Sequence, residues 1–344
     1  MVQEDDLKHH TNQNRKTGEK MKENFTIGKA IDPGIKRQKK PNQDSIGWVE
    51  ADDRKGIAPL LILADGMGGY SGGEIASATV VETVKKVYTQ KADRNANYSE
   101  LLLDCIQQAH SKIIEKADKD EKISRMGSTI VLTALFPSHV QIANVGDSRA
   151  YLITASGEIR QISYDHSFVM DQVRNGLITK EEALRHPKKN VLTMSLSGLR
   201  PEIEPYIAEE PWSEGDYVLI CSDGLWGSVS EAQISNIVTS LDPQSAADKL
   251  IKMANINQGP DNISILIARN GRNKAIHQEL KDAVTADEMT TEDVLAIVEA
   301  DNNRKARRKI LILIALILLI IAAVLWLIHS GILILPKQLN TILL

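Results

Sequence analysis

The stretch LLILADGMGGYSGGE, residues 60–74, carries an apolar segment into a single aspartate and then into five glycines within eight positions. Glycines that follow a strand can cradle the phosphates of a nucleotide. A P-loop, however, needs Lys-Ser or Lys-Thr after its last glycine, and neither dipeptide follows here. A dinucleotide fingerprint beginning at Gly66 would need glycine at Ser71, and the Asp65 carboxylate would repel a pyrophosphate. The residues therefore disfavour nucleotide binding by this loop.

Three other segments place an aspartate at the end of an apolar strand. Asp223 follows the strand in YVLICSDGLWG, Asp147 follows the strand in VQIANVGDSRAYL, and Asp261 precedes the strand in GPDNISILIA. Any single Asp-Gly pair is often only a turn. Carboxylates that converged without cations would repel one another, so convergence would imply bound metal ions. Hard oxygen ligands select Mg2+ or Mn2+ over zinc, and neither cysteine nor histidine stands at ligand spacing.

Short runs rich in valine, isoleucine and leucine predict strands, and two longer periodic segments predict helices. The predicted strands are residues 45–51, 59–65, 128–136, 140–146, 149–154, 158–163, 216–222 and 262–269, and the predicted helices are residues 72–90 and 99–117. The polar turns PSH and ASG each join two neighbouring strands, which predicts antiparallel hairpins. Hairpins with segregated helices favour an α+β layered fold over a regular βαβ alternation.

The two ends of the chain differ from this folded region. The N-terminal residues contain no apolar run, which predicts a polar mobile arm. ILILIALILLIIAAVLWLI is 19 residues without a polar side chain, and at about 1.5 Å per residue it reaches about 28 Å, which predicts a transmembrane helix. The basic cluster RKARRK precedes it and a single lysine follows it, so the positive-inside rule keeps the N-terminal part in the cytoplasm. The expected division is an arm at 1–24, a folded domain at 25–270, a polar linker with the basic cluster at 271–309, the transmembrane helix at 310–328 and a short tail at 329–344.

The overall composition argues against some partners. The 344 residues carry a net charge of -4 and only 4% are aromatic, so neither bulk electrostatics nor a stacking surface favours nucleic-acid binding. Cys105 and Cys221 are far apart and form no Cys-x-x-Cys motif, which fits a reducing compartment. We therefore expect no nucleic-acid partner and no disulfide framework.

Seven motifs occur in a fixed order along residues 25–270, namely NQDSIGWV, LILADGMGGYSGGEIAS, GSTIVLTAL, QIANVGDSRAYLI, ISYDHSFV, LICSDGLWGSVS and GPDNISILIA. In type and order they resemble the motifs of the metal-dependent (type 2C) serine/threonine protein phosphatases, bacterial type. The resemblance implies an αββα sandwich of two antiparallel sheets flanked by helices, with a dinuclear Mg2+ or Mn2+ centre at one end.

The resemblance also implies a ligand set. Asp65 would bridge both metal ions, and the Gly66 carbonyl would be a further ligand. Asp223 and Asp261 would complete the shell of the first ion. The ions would activate a water for in-line attack on phosphorus, so no covalent phosphoenzyme would be needed.

Two further aspartates take outer positions by the same resemblance. Asp44 would lie in the outer shell and hold a metal-bound water. Asp147 would help to bind the third metal ion that bacterial-type members contain.

The basic residue that grips the substrate phosphate departs from the family pattern. In the family it usually stands five positions before the motif aspartate Asp44, where this chain has Lys39, and Arg37 lies two positions earlier. Either a slightly longer loop brings Arg37 to the phosphate, or Lys39 acts as a point charge without bidentate geometry. We favour Arg37.

Two other positions depart from animal members of the family. Gln43 replaces a glutamate ligand, so we expect more water around that ion. Met67 stands where those members carry a histidine general acid, and a thioether cannot protonate a leaving alkoxide. We expect His166 and His186 to be structural, which leaves a metal-bound water as a candidate acid.

The predicted function is that of a membrane-anchored, cytoplasm-facing phosphatase acting on phosphoserine and phosphothreonine in proteins near the membrane, with an opposing membrane-bound serine/threonine kinase as one candidate substrate. Residues 164–200 match the mobile flap of the family, a usual setting for substrate selection. Neither cysteine is followed by arginine six positions later, which excludes a tyrosine-phosphatase loop. The alternative is a catalytically silent domain that recruits a phosphorylated partner, but such a domain would not need four costly carboxylates.

Overall fold

The computed structural model describes residues 24–68, 72–199 and 202–271, all within the first of the chain's two compact units, Met1–Asn273. No helix in these described ranges is long and apolar enough to cross a membrane. The predicted transmembrane helix 310–328, the tail, and nearly all of the linker and of the N-terminal arm lie outside the described residues. Those assignments therefore stay predictions.

The described strands form two sheets in which every pairing is antiparallel. The first sheet has the order β1 (Phe25–Asp32), β12 (Ile263–Asn270), β11 (Tyr217–Cys221), β7 (Arg149–Ile153) and β8 (Ile159–Gln161). The second has the order β10 (Tyr206–Pro211), β6 (His139–Val145), β5 (Ile130–Leu135), β3 (Leu60–Met67), β4 (Gly127–Ser128) and β9 (Leu196–Ser197), with β2 (Asp44–Val49) paired to β3.

Helices cover the outer face of each sheet. Against the second sheet pack α1 (Gly72–Lys91) and α2 (Tyr98–Lys119), and against the first pack α6 (Glu231–Ser240) and α7 (Pro243–Ile256). Three short helices, α3 (Phe168–Arg174), α4 (Lys180–Arg185) and α5 (Asp223–Trp226), lie in the connections. Helix α2 begins where the Asn97 side chain accepts two backbone N–H groups, and α7 begins at Pro243 after the Asp242 cap, as local capping chemistry requires.

Strand β3 shows why the central strands are apolar throughout. Leu60, Ile62 and Ala64 pack under the helices, whereas Leu61 and Leu63 face the other sheet. Strands β7, β11 and β12 divide their side chains between the two layers in the same way. A strand covered on both faces has no polar face, so its sequence is a continuous apolar run. The αββα sandwich predicted by the resemblance is confirmed.

The predicted hairpins are confirmed, but three edge strands were missed: β1, β10 and the two-residue β9, which is too short to form a pattern. The PSH turn joins β5 to β6, and the ASG turn joins β7 to β8. Strands β1 and β10 were not predicted, since each lies at the edge of its sheet with most side chains only half-buried or exposed. Such strands contain polar residues and lack the apolar run that marks a central strand.

Candidate metal centre

Five aspartates meet at one end of the sandwich. Strands β2 and β3 pair with Asp44 opposite Asp65. Asp223 follows β11 and begins α5, Asp261 stands just before β12, and Asp147 lies between β6 and β7. The four other carboxylates all lie close enough to Asp65 to raise its pKa. Tertiary folding therefore brings together the aspartates that the sequence marked at separate strand ends.

Close backbone contacts hold the segments that carry these aspartates. A Cβ atom added at three glycines would lie within about 2 Å of a main-chain carbonyl oxygen: Gly66 against Gly73 (1.9 Å), Gly224 against Asn262 (2.0 Å) and Gly34 against Asp261 (2.1 Å). A side chain at any of them would force the two segments apart. The group that approaches the glycine backbone here is the protein's own main chain.

Asp44 is buried and held from one side. The Ser222 hydroxyl donates to Asp44 Oδ2 at 2.7 Å, and the Ser222 oxygen accepts the Ser264 N–H at 3.0 Å. Asp44 Oδ1 is buried and forms no hydrogen bond of normal geometry with a described residue, although the Ser264 hydroxyl lies near enough to lower the pKa of Asp44. Burial raises the pKa of Asp44 from 3.8 to about 6. A buried carboxylate oxygen without a normal hydrogen bond suits a cation or an ordered water.

Asp65 and Asp223 have pKa values well above the ordinary range of a carboxyl group. Burial is the main cause, and repulsion by neighbouring carboxylates adds to it. Strand pairing fixes the Asp65 backbone, since its N–H donates to Thr129 Oγ1 at 3.0 Å and its carbonyl accepts the Thr129 N–H at 2.8 Å. The two side chains are therefore held near other negative charges by their backbones.

Asp147 lies in a separate polar environment at the same end. Burial, together with repulsion by Asp165, raises the pKa of Asp147 to about 7, and Arg149 opposes this shift. The indole Nε1–H of Trp226 donates to the Asp147 carbonyl oxygen at 3.0 Å. The main chain at Asp147 is thus fixed by a residue from the helix that begins at Asp223.

Arg37 and Lys39 have different positions. Arg37 lies in a turn of 3-10 helix and donates to the side chains of Asp261 and Gln43. Its Nε is buried and has no hydrogen-bond partner in the described part of the chain. Lys39 is exposed and forms neither a hydrogen bond nor an ion pair with any described residue. Arg37 is therefore the basic residue that borders the carboxylates.

The donor set fits hard divalent cations. The side chains that converge supply oxygen atoms, one buried oxygen of Asp44 forms no normal hydrogen bond with a described residue, and the carboxylates repel one another. As the side chains stand, no group of three or more His, Cys, Asp or Glu in the described ranges has the spacing of a complete metal site. Asp261 Oδ1 accepts from both Arg37 and the Asn262 N–H. The ligand roles of Asp65, Gly66, Asp147, Asp223 and Asp261 remain predictions.

The two histidines predicted to be structural have local partners. His166 is buried and its Nδ1 lies 3.2 Å from the Gly146 N–H, while His186 Nδ1 accepts the Lys188 N–H at 3.0 Å. Both lie in residues 164–200, the segment called the flap below, which contains α3 and α4. Met67 ends strand β3 and is half-buried.

Several residues of the site were not predicted from the sequence. Ser222 holds Asp44, and Asn262 Oδ1 accepts the Gln43 N–H at 2.9 Å. Arg149 and Asp165 form a buried ion pair beside Asp147. Ser222 and Asn262 each stand beside a predicted ligand, which was the one signal available. Their partners lie 178 and 219 residues away, so only the folded chain shows the contacts.

Comparison with known proteins identifies the family. Residues 34–262 match the model of protein phosphatase 2C. The serine/threonine phosphatase stp of Listeria innocua is 37% identical over 229 residues, which are 66% of this chain and 89% of that protein. The crystal structure of the serine/threonine phosphatase Stp1 from Staphylococcus aureus has a TM-score of 0.66 and 30% identity, covering 74% of this chain and 100% of that one.

A third relative has been solved with metal ions. The catalytic domain of the serine/threonine protein phosphatase PstP in complex with two manganese ions has a TM-score of 0.63 and 28% identity, covering 72% of this chain and 99% of that chain. The five converging aspartates and Arg37 all lie within the matched residues 34–262. The chain therefore belongs to the protein phosphatase 2C family, the Mg2+- or Mn2+-dependent serine/threonine phosphatases.

Proposed function

We propose that this chain removes phosphate from phosphoserine and phosphothreonine in proteins, with Asp65, Asp223 and Asp261 as the principal cation ligands. The proposal depends on one observation, the convergence of five aspartates at one end of the sandwich, where burial and neighbouring carboxylates raise the pKa values of Asp65 and Asp223. Carboxylates held together by their backbones need cations to remain ionised at neutral pH. The Gly66 carbonyl and Asp147 complete the proposed ligand set.

Bound Mg2+ or Mn2+ would activate a water as the nucleophile and offset the negative charge of the phosphoryl group. The chain's own residues place the substrate. Arg37 would orient the phosphate, since a guanidinium can donate to two phosphate oxygens at once whereas an ammonium acts as a point charge. Asp261 and Gln43 hold that guanidinium at the edge of the carboxylates, and its buried Nε is a donor without a partner among the described residues.

The proposal extends to where the enzyme acts. The apolar composition of residues 310–328 and the basic cluster before them support a single span with the phosphatase domain on the cytoplasmic side. Substrates would then be phosphoproteins near the membrane, including an opposing serine/threonine kinase.

Replacing Asp223 tests the proposed metal chemistry. Wild-type protein should hydrolyse p-nitrophenyl phosphate and a phosphothreonine peptide with Mn2+ or Mg2+ and lose this activity in EDTA. Asp223→Asn should lower kcat/KM at least about 100-fold, beyond the usual cost of losing an outer-shell partner. Asp248→Asn, on an exposed face of α7, is the control and should keep full activity. Turnover without metal, or an active Asp223→Asn enzyme, would sink the proposal.

The raised pKa values predict how the stability of the metal-free protein depends on pH. Burial raises the pKa values of Asp44 and Asp147 in the folded protein from 3.8 to about 6 and about 7. Between the ordinary pKa and these raised values, the folded state therefore binds more protons than the unfolded state. The free energy of unfolding falls as the pH rises through the folded pKa values. In EDTA, the Tm should be lower at pH 8 than at pH 5 by at least about 5 °C, and Mn2+ should raise it at pH 8. An equal or higher Tm at pH 8 in EDTA would contradict the carboxylate repulsion.

The two candidate phosphate ligands can be separated by substitution. Arg37→Ala should lower kcat/KM for a phosphothreonine peptide by about 10- to 100-fold, the cost of losing hydrogen bonds to a charged group. Arg37→Lys should restore part of this loss, because it keeps the charge without the fork geometry. Lys39→Ala should change kcat/KM less than about threefold, as expected for an exposed charge. A larger loss in Lys39→Ala than in Arg37→Ala would reverse the assignment.

Two truncations test the anchor. Removal of residues 310–344 should move the protein from the membrane fraction to the supernatant after ultracentrifugation, because the 19-residue apolar segment is lost. Removal of residues 329–344 alone is the matched control and should leave it in the membrane fraction. If the protein without residues 310–344 still sedimented with membranes, another segment of the chain would bind them.

A further inference from the structure

Trp226 joins two of the segments that carry aspartates. It ends the short helix that begins at Asp223, and its Nε1–H donates to the Asp147 carbonyl oxygen at 3.0 Å. Strands β11 and β7 are neighbours in the first sheet, so this bond links the loop after one strand to the loop before the other. The main chain of Asp147 is therefore held by the helix that carries Asp223.

A buried ion pair holds the Trp226 ring in turn. The Arg149 guanidinium lies 3.8 Å from the ring centroid. Its Nε and Nη2 donate to Asp165 Oδ2 at 3.0 and 2.7 Å, and its Nη1 donates to the Tyr151 hydroxyl at 2.9 Å. The side chain of Arg149 is 12% exposed and that of Asp165 is 1% exposed. A guanidinium fixed at three nitrogens leaves the stacked indole little freedom to turn.

The same ion pair reaches the flap. Asp165 is the second flap residue, and its carbonyl oxygen accepts Arg174 Nη2 from helix α3 at 3.0 Å. The Arg174 guanidinium also lies 3.8 Å from the Tyr164 ring. Contacts therefore run without a gap from the flap helix, through Asp165, Arg149 and Trp226, to the main chain of Asp147.

Such an ion pair adds little net stability, because both charges lose their hydration when buried. Its geometry, however, is highly specific. We propose that Arg149, Asp165 and Trp226 form a positioning unit that holds the Asp147 loop in place for a divalent cation and keeps the base of the flap against it. The inference rests on the proposed role of Asp147 as a cation ligand. Trp226 acts through Asp147 and does not itself touch the substrate.

The test removes the indole N–H of Trp226 and compares the effect with removal of the same group from Trp212. Trp226→Phe keeps an aromatic ring for Arg149 but removes the N–H to Asp147. Trp212→Phe is the control, because Trp212 Nε1 donates to the Phe136 carbonyl oxygen at 2.6 Å, at the end of β5 away from Asp65. Mn2+ stoichiometry and affinity of the full chain would be measured by electron paramagnetic resonance, and flap protection by hydrogen exchange.

The expected result has three parts. Asp147→Asn should lose one Mn2+ site, and Trp226→Phe should weaken that same site about fivefold and speed hydrogen exchange in the flap. Trp212→Phe should leave Mn2+ binding and hydrogen exchange in the flap unchanged, even if it lowers the Tm as much as Trp226→Phe does. In the Asp147→Asn background, Trp226→Phe should not alter Mn2+ binding further, because the two residues act together.

Three results would overturn the inference. If Asp147→Asn lost a site while Trp226→Phe bound Mn2+ like wild type, the positioning role would be wrong and the ligand role would stand. If Trp212→Phe weakened Mn2+ binding as much as Trp226→Phe, the effect would be general destabilisation. If Asp147→Asn bound as many ions as wild type, the ligand role itself would fail, and the positioning unit with it.

Discussion

Repulsion among carboxylates that the backbone holds together shapes one whole end of this molecule. Asp65 and Asp223 are half-buried among other negative groups, so the neighbouring protein replaces part of the water that would screen them. Arg37 opposes part of this field by favouring the charged forms of Asp44 and Asp223. Cation binding would relieve the remaining repulsion, so folding stability and metal binding are expected to be coupled.

The two sheets meet differently at this end than in the middle of the sandwich. Between the central strands the contact is apolar, with leucine, valine and isoleucine from both sheets. At the site, polar bonds cross from one sheet to the other: Ser222 donates to Asp44, and Asn262 accepts from Gln43. The relative position of the sheets therefore sets the spacing of the carboxylates. Because close packing of the core fixes that relative position, it also fixes the geometry of the site at the edge of the sandwich.

Much of the fold followed from local patterns, and the exceptions have a common cause. Central strands such as β3 and β12 are buried on both faces, so each appears in the sequence as an apolar run. The aspartates at their ends were visible as charges directly flanking such runs, Asp65 after the run of β3 and Asp261 before that of β12. Strands β1 and β10 escaped notice because an edge strand is stabilised by its neighbour's backbone more than by its own side chains.

By itself, the sequence determined the layered α+β class, the strand ends that carry Asp65, Asp147, Asp223 and Asp261, and the choice of hard cations over zinc. These depend on residue type and short spacing, which a linear chain already displays. Only the tertiary structure decided that Arg37 rather than Lys39 borders the carboxylates, and that Ser222 and Trp226 hold Asp44 and Asp147. Those contacts join residues 79 to 224 positions apart, and no local periodicity records which distant backbone a loop will meet.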